Sequence, residues 1–338
     1  MIKPTSKLVW AASMLTLAAS AYADIKLDAV NDHLTFSGYA AGGYSYYKAD
    51  GAPAVDSLFD ASKPVPGNGD ANDVLLKFAF DYKPIKTVVS LNYFPNLSSS
   101  EFTVLDAYVS YDAGQGVSIT AGKFLSYLGY ESFYPVFMDQ ITYANGDFLA
   151  PIPGYHTGVK VDYSSNGSSL GVAAVDSVYS PYGGTRGDGE LVHNAGFEVY
   201  YSYTGITNLT LWAGVAHDTK GNFQGHSVTT VDLWASYQLT KAARIAAEYV
   251  EKDGGLGAKG SNWLAFLNYS FTDTVSSTFR ISGEKMSDGG PEFVKFTVAP
   301  ALAINANFSV RAEYSYYDYD KYWTNKAHFF GVQAVFKF

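Results

Sequence analysis

Sixteen segments of this sequence alternate apolar and polar residues, and this repeated alternation indicates an all-β fold. In the segment 307–318, Phe308 and Val310 share one face, while Arg311 and Glu313 share the other. A period of two is typical of β-strands that have one apolar and one polar side. The segments lie near residues 34–48, 73–83, 87–95, 101–112, 117–124, 154–163, 170–178, 194–203, 208–218, 226–238, 244–252, 261–271, 275–286, 292–302, 307–318 and 325–338.

The connections between these segments alternate between short and variable lengths. Short connections include 84–86, 113–116 and 272–274, whereas 49–72 and 125–153 are long. Transmembrane β-barrels have tight periplasmic turns, longer extracellular loops and an even number of strands. A soluble β-sandwich also alternates, but this pattern of connections disfavours it. The sequence therefore predicts a transmembrane antiparallel up-and-down β-barrel of about 16 strands, with about 14 to 18 compatible with the pattern.

The N-terminal residues predict export from the cytoplasm. Lys3 and Lys7 flank the start of a short apolar run, and Ala21-Tyr22-Ala23 supplies a cleavage site of small residues. This arrangement is typical of a signal peptide, because the apolar run is too short for a transmembrane helix. We expect residues 1–23 to be removed and residues 24–338 to form one outer-membrane β-barrel domain of a Gram-negative cell.

Composition supports a wall that is apolar on only one side. Aromatic residues make up 16% of the chain, yet its mean hydropathy is only −0.04. Barrels combine these values because only every second strand residue meets lipid and because aromatic rings gather at the membrane interfaces. The formal net charge of −9 argues against a nucleic-acid partner. The chain has no cysteine, which excludes disulfides and zinc–thiolate sites.

The chain ends in an alternating segment, 330–338, whose apolar parity closes with Phe338. In a soluble protein, such a strand would be an exposed apolar edge and an aggregation hazard. A terminal strand of this kind resembles the last strand of bacterial outer-membrane barrels. We therefore expect the barrel insertion machinery to recognise it, and outer-membrane lipid to surround the folded barrel.

Four short motifs carry a resemblance to a known family. They are Leu105-Asp106-Ala107-Tyr108-Val109-Ser110-Tyr111, Ala121-Gly122-Lys123-Phe124, Leu128-Gly129-Tyr130-Glu131 and Pro153-Gly154-Tyr155-His156-Thr157-Gly158-Val159-Lys160. Together they resemble the OmpL-like beta-barrel porin family, over a core of residues 101–175. The resemblance implies an outer-membrane porin, and it supplies neither a solute nor a set of catalytic residues.

The long segment 125–153 follows the fifth strand and is therefore predicted to be the third outer loop. It contains Glu131, Asp139 and Asp147 but no lysine or arginine. In general porins, the third loop folds into the lumen and narrows the channel, and by that analogy this segment is the candidate constriction. A ring of carboxylates in a narrow passage favours cations. The alternative is a solvated or capping loop outside the lumen.

Basic residues on the polar parity of the strands are candidates for the opposite wall of the channel. Across from an acidic loop, they would set up a transverse field. The candidates are Lys77, Lys160, Arg244, Arg280, Lys295 and Arg311. Carboxylates share the same parity, so these basic residues could instead form neutralising pairs with wall acids. The acids are Asp81, Asp106, Asp162, Glu198, Asp232, Glu248, Glu284 and Glu313.

Three aromatic residues also fall on the lumen parity of neighbouring strands, namely Tyr200, Trp212 and Trp234. Their rings could form a stacking strip for sugars or aromatic solutes. The alternative is that they fill the lumen or anchor an interface.

The function that the sequence favours is passive diffusion of small hydrophilic solutes or ions, with a mild cation preference and no cofactor. One alternative is a porin selective for sugars or aromatic solutes. Alternatives from other classes are a barrel hydrolase and a structural or surface-binding barrel with a blocked lumen. The six histidines are scattered, and no zinc-ligand spacing or nucleophile motif joins them. We therefore expect a protein that is not an enzyme.

Homo-oligomer formation is left open by the sequence. Some 16-stranded porins hold neighbouring subunits together with a long second outer loop. Here the corresponding segment is only about Asn96 to Ser100, which disfavours such a latch. An apolar patch on the outer wall could still associate with a second copy.

Overall fold

A computed structural model describes residues 25–26, 33–58, 73–93, 103–131, 134, 137–144, 148–179, 195–219, 227–254, 259–287 and 289–338 of the chain. The predicted signal peptide, Asp147 and the segment from Asn96 to Ser100 lie outside the described residues. The strands are β1 Ile25–Lys26, β2 Leu34–Ala49, β3 Val55–Leu58, β4 Asp73–Tyr82, β5 Ile85–Tyr93, β6 Thr103–Gly114, β7 Val117–Leu125, β8 Tyr155–Ser165, β9 Ser168–Val175, β10 Gly196–Tyr203, β11 Leu209–Asp218, β12 Val228–Gln238, β13 Ala243–Gly254, β14 Gly260–Ser270, β15 Val275–Met286, β16 Glu292–Ala303, β17 Phe308–Lys321 and β18 Lys326–Lys337.

The wall is a closed antiparallel barrel of sixteen long strands, β2 and β4 to β18. Each of these strands pairs with its neighbours along the chain, and β18 pairs with β2 to close the ring. The closing register joins Ala327 to Ala49 and Lys337 to Tyr39. Closure gives the wall strands partners on both sides, as a hydrocarbon environment requires. The predicted fold class and strand number are confirmed.

The two faces of the wall differ as the alternation predicts. On β17, the Tyr314 side chain points outward and is 48% exposed, whereas Glu313 points inward and is 1% exposed. Exposed Leu233 on β12 repeats the outward pattern, while Asp232 beside it is buried. The apolar outer face suits lipid, and the polar residues line the interior. No helix in the described part of the chain is long and apolar enough to span a membrane.

The predicted strand limits agree with the structure to within three residues, and the main difference lies in the long segment 49–72. The sequence assigned this segment to an outer loop, but part of it forms the short strand β3. The reason is that β2 is longer than β4, which pairs only with residues 34–41 of β2. Strand β3 pairs with residues 44–47 and so continues the ladder along β2.

Candidate functional site

The connection between β7 and β8 spans residues 126–154, and we call it the inner loop. Its described residues, 126–131, 134, 137–144 and 148–154, lie inside the barrel. Its described residues contact lumen-facing side chains on many strands, from Asp106 on β6 to Glu313 on β17. Residues Ile141 and Leu149 of the inner loop are buried. The sequence proposed this connection as the loop that narrows the channel.

Wall carboxylates hold the inner loop by accepting hydrogen bonds from its backbone N–H groups. The bonds run from Tyr127 to Glu198 (3.1 Å), Gly129 to Asp232 (2.7 Å), Tyr130 to Glu248 (2.5 Å), Ile141 and Thr142 to Glu313 (2.5 and 2.9 Å) and Leu149 to Glu284 (2.9 Å). Loop backbone in a buried position needs such partners, since buried N–H groups without acceptors are costly. The sequence offered basic side chains as partners for these acids, and it missed the backbone amides.

Wall donors hold the backbone carbonyl groups of the same loop. The bonds run from Lys295 to Tyr143 (2.7 Å), Arg280 to Thr142 (2.7 Å), Asn262 to Ala144 (2.9 Å), Lys252 to Leu149 and Ala150 (both 3.3 Å) and from Arg311 to Met138. Both polarities of the loop backbone are therefore satisfied by the wall. These bonds make the wall from β10 to β17 a cradle for the inner loop.

The loop carboxylate of Glu131 is the centre of a buried network. Its Oε1 accepts from the Arg280 guanidinium at 2.5 Å and from the Gln140 amide at 2.6 Å. Its Oε2 accepts from the backbone N–H of Ala144 at 2.6 Å. The side chains of Arg280 and Glu131 are only 1% and 5% exposed. Glu131 therefore fixes the conformation of the loop and has little access to passing ions.

Asp139, the second loop carboxylate, forms an ion pair with Arg244 of β13. Glu131 and Asp139 thus differ from the expected ring of free carboxylates, because each has its own arginine partner. The reason is that the loop packs directly against basic wall residues instead of facing them across water. Asp147, the third predicted member, lies outside the described residues.

All six predicted basic residues belong to lumen-facing positions, but their surroundings differ. Arg244, Arg280, Lys295 and Arg311 bind the inner loop as described above. The Lys160 ammonium lies 4.8 Å from the centre of the Tyr127 ring, in a cation–π contact. For Lys77, which is half-buried, the described part of the chain supplies no hydrogen bond or ion pair.

The rings of Tyr200, Trp212 and Trp234 form a row and lie parallel to one another. The centroids of Tyr200 and Trp212 are 6.0 Å apart, and those of Trp212 and Trp234 are 5.8 Å apart. All three side chains are buried. The loop ring of Tyr127 packs 4.5 Å from Tyr200, and that of Tyr130 packs 5.3 Å from Trp234. The loop covers this row, which argues for an anchor and against an open stacking strip for solutes.

The entry of the inner loop is set by Gly129. Its φ of +104° is unfavourable for a residue with a side chain. A Cβ at this position would lie 2.9 Å from the Ile152 side chain at the other end of the loop.

Burial and the neighbouring Asp162 carboxylate raise the pKa of the Tyr127 phenol well above its ordinary value. The phenol stays protonated and donates to Asp162 at 2.8 Å, which fixes the same end of the loop.

A serine, a histidine and a carboxylate meet beside the loop entry, but in the wrong order for hydrolysis. Ser126 Oγ donates to Glu198 at 2.6 Å, and His156 Nε2 lies 3.5 Å from the same carboxylate. A serine nucleophile needs its hydroxyl on the histidine, with the carboxylate behind it. Here the carboxylate lies between the two, and Glu198 and His156 are fully buried. This arrangement supports a structural role.

A family model matches most of the chain. The family described as Putative beta-barrel porin-2, OmpL-like matches residues 33–338. This match confirms the family that the four sequence motifs indicated. A comparison with curated proteins found no significant match.

Solved outer-membrane channels share the fold at low sequence identity. The high-pH structure of Pseudomonas putida OprB has a TM-score of 0.69 at 10% identity, covering 92% of this chain and 96% of that one. An anion-selective porin from Comamonas acidovorans has a TM-score of 0.64 at 11% identity, covering 90% and 99%. The channel DcaP of Acinetobacter baumannii has a TM-score of 0.60 at 11% identity, covering 90% and 97%. At these identities, the similarity supports the fold alone.

Proposed function

Since the chain belongs to the OmpL-like beta-barrel porin family, we propose that it is a passive diffusion channel for small hydrophilic solutes, narrowed by its inner loop. The observation that carries this proposal is the attachment of the loop to the lumen wall through both its N–H and its C=O groups. We expect a loop held in this way to narrow the passage and to leave the remaining lumen for solutes.

The proposed ion preference is a mild selectivity for cations. Glu198, Glu284 and Glu313 accept hydrogen bonds from loop N–H groups. Neutral donors do not cancel the negative charge of a carboxylate. The basic side chains of Lys160, Lys252 and Arg311 lie near Glu198, Glu284 and Glu313 and offset part of it, so the proposed anionic field of the wall is weak. Glu131 and Asp139 act less directly, because they cancel the charges of Arg280 and Arg244.

Neutralising the two loop carboxylates, in the variant E131Q/D139N, is expected to shift the reversal potential in a salt gradient towards anions. The physical reason is that Arg280 and Arg244 would then carry uncompensated positive charge into the lumen. Planar-bilayer recordings of the purified protein measure this shift. A matched control is Glu292→Gln, which changes a carboxylate at the outer end of β16 that pairs with Lys285. A reversal potential unchanged from that control would contradict the proposed charge balance.

A structural barrel with a blocked lumen is the second candidate, and the burial of loop side chains inside the barrel favours it. Leu128, Ile141 and Leu149 are buried inside the barrel, so the inner loop fills part of the interior. Conductance separates the two candidates, since a blocked barrel that is correctly folded would be silent. The solute-selective alternative receives less support, because the inner loop covers the aromatic row.

A further inference from the structure

Two carboxyl groups lie side by side beneath the start of the inner loop. Asp232 of β12 and Glu248 of β13 both face the lumen, and their register places them diagonally across neighbouring strands. Asp232 Oδ2 accepts the Gly129 N–H at 2.7 Å, and Glu248 Oε1 accepts the Tyr130 N–H at 2.5 Å. Two consecutive amides of the loop are therefore held by two adjacent carboxyl groups, which together we call the acid clamp.

The remaining oxygen atoms of the acid clamp have no donor among the described residues. Asp232 Oδ1 and Glu248 Oε2 are buried, and the two side chains are 0% and 3% exposed. Because their other oxygen atoms accept hydrogen bonds from two consecutive loop N–H groups, the two carboxyl groups lie side by side. Two adjacent buried carboxylates do not readily ionise together, because burial weakens the screening of their repulsion by solvent. We propose that Asp232 and Glu248 share one proton at neutral pH and that this proton keeps the start of the inner loop attached.

Charged neighbours do not replace this proton. The titratable groups beside the clamp are the carboxylate of Glu131 and the phenols of Tyr130 and Tyr179. Arg244 and Asp139 lie near the Tyr130 phenol, and Glu198 and Asp218 lie near the Tyr179 phenol. The arginine is already paired with Asp139, and Glu131 is already paired with Arg280. On the flanking strands, Gly214 lies opposite Asp232 and Leu264 lies opposite Glu248. Arg244, the cation in this neighbourhood, therefore already has a carboxylate partner.

A metal ion is a weaker explanation of the pair than a proton. Hard cations such as calcium and magnesium need six or more oxygen ligands, or several waters. In the described ranges of the chain, no group of three or more carboxylate, histidine or cysteine side chains is arranged to hold a metal. A proton needs only the two adjacent carboxyl groups.

Loss of the shared proton would leave two adjacent carboxylates, each with a negative charge. Their repulsion would separate the carboxyl groups and weaken the bonds to Gly129 and Tyr130, so the start of the loop would move. The attached state of the loop holds the proton, and the detached state releases it more readily. The attachment therefore weakens as pH rises. If the barrel is the proposed channel, the clamp would act as a pH-sensitive control of the constriction. Conductance fluctuations would then be larger at alkaline pH.

Infrared spectroscopy of the folded wild-type protein tests the proton without relying on conduction. We expect a carbonyl stretching band of a protonated carboxyl group that disappears as pH rises, and we expect its loss at neutral pH in both D232N and E248Q. The matched control is E284Q, which changes a wall carboxylate that accepts a loop N–H outside the clamp and should keep the band. The shared proton would be ruled out if folded wild type lacked the band. It would also be ruled out if the band responded to added divalent cation and not to pH.

Single-channel recording across the same pH range tests the consequence. We expect wild-type fluctuations to grow as the infrared band disappears, and D232N to be insensitive to pH, because its amide keeps an acceptor for Gly129 without the second charge. A titrating band with no change in conductance would overturn the control of the constriction. A titrating band in a silent barrel would remove the channel function and leave the shared proton in place.

Discussion

Replacing Arg280 by methionine is expected to lower the free energy of unfolding by about 3–5 kcal/mol, the usual effect of removing one partner from a buried ion pair. The Glu131 carboxylate would stay inside the barrel without its cation, since both side chains are almost fully buried. Arg280 also donates to the carbonyl oxygen of Thr142 at 2.7 Å, so the middle of the inner loop would lose a second contact. Unfolding by urea in lipid vesicles measures the change.

The double variant E131Q/R280M distinguishes the buried charge from lost packing. It removes both charges, so its stability should lie closer to that of wild type than R280M does. A control is Lys285→Met, which breaks an exposed pair with Glu292 at the rim and should change stability much less. If R280M were no less stable than K285M, the buried ion pair would not stabilise the fold. The same conclusion would follow if adding E131Q to R280M restored no stability.

Replacing Glu313 by alanine is expected to release the middle of the inner loop and to increase the single-channel conductance. Glu313 accepts the N–H groups of Ile141 and Thr142 and a third bond from the Thr142 hydroxyl. Each buried donor left without an acceptor costs about 1–3 kcal/mol, so the attached position would lose its advantage over mobile ones. Planar-bilayer recordings should show larger and noisier steps than wild type.

Two variants control for this result. Glu313→Gln keeps one oxygen acceptor and should show a smaller increase in conductance than Glu313→Ala. Glu292→Ala removes a carboxylate at the outer end of β16, away from the inner loop, and should conduct like wild type. Steps from E313A that match those of wild type in size and noise would show that this carboxylate does not position the loop.

The sequence predicted the wall of the barrel well, for a physical reason. Lipid and water impose opposite demands on the two faces of each strand. The alternation alone therefore assigns Phe308 to the lipid face and Arg311 to the lumen face. The hairpin turns are equally local signals. By contrast, β3 depends on the difference in length between β2 and β4. That difference in length is a property of strand pairing, and no residue in the segment 49–72 indicates it.

The candidate site was predicted only in part, because parity gives the face of a residue and not its partner. Arg244 and Arg280 were placed in the lumen, and Glu131 and Asp139 in the loop, but their pairing requires the folded path of the loop. The use of Glu313 as a backbone acceptor was missed. One signal was present, since lumen-facing acids outnumber the bases that could neutralise them, and such an excess indicates neutral donors or shared protons nearby.

The most direct test of the channel is the single-channel conductance of the purified, folded protein in a planar lipid bilayer, compared with a variant in which a short turn replaces residues 126–154. We expect discrete, stable steps for wild type and larger steps for the variant. A folded wild type that is silent while the variant conducts would contradict the account, and it would identify the inner loop as a plug. Equal steps from both proteins would also contradict it, because the loop would then not limit the passage.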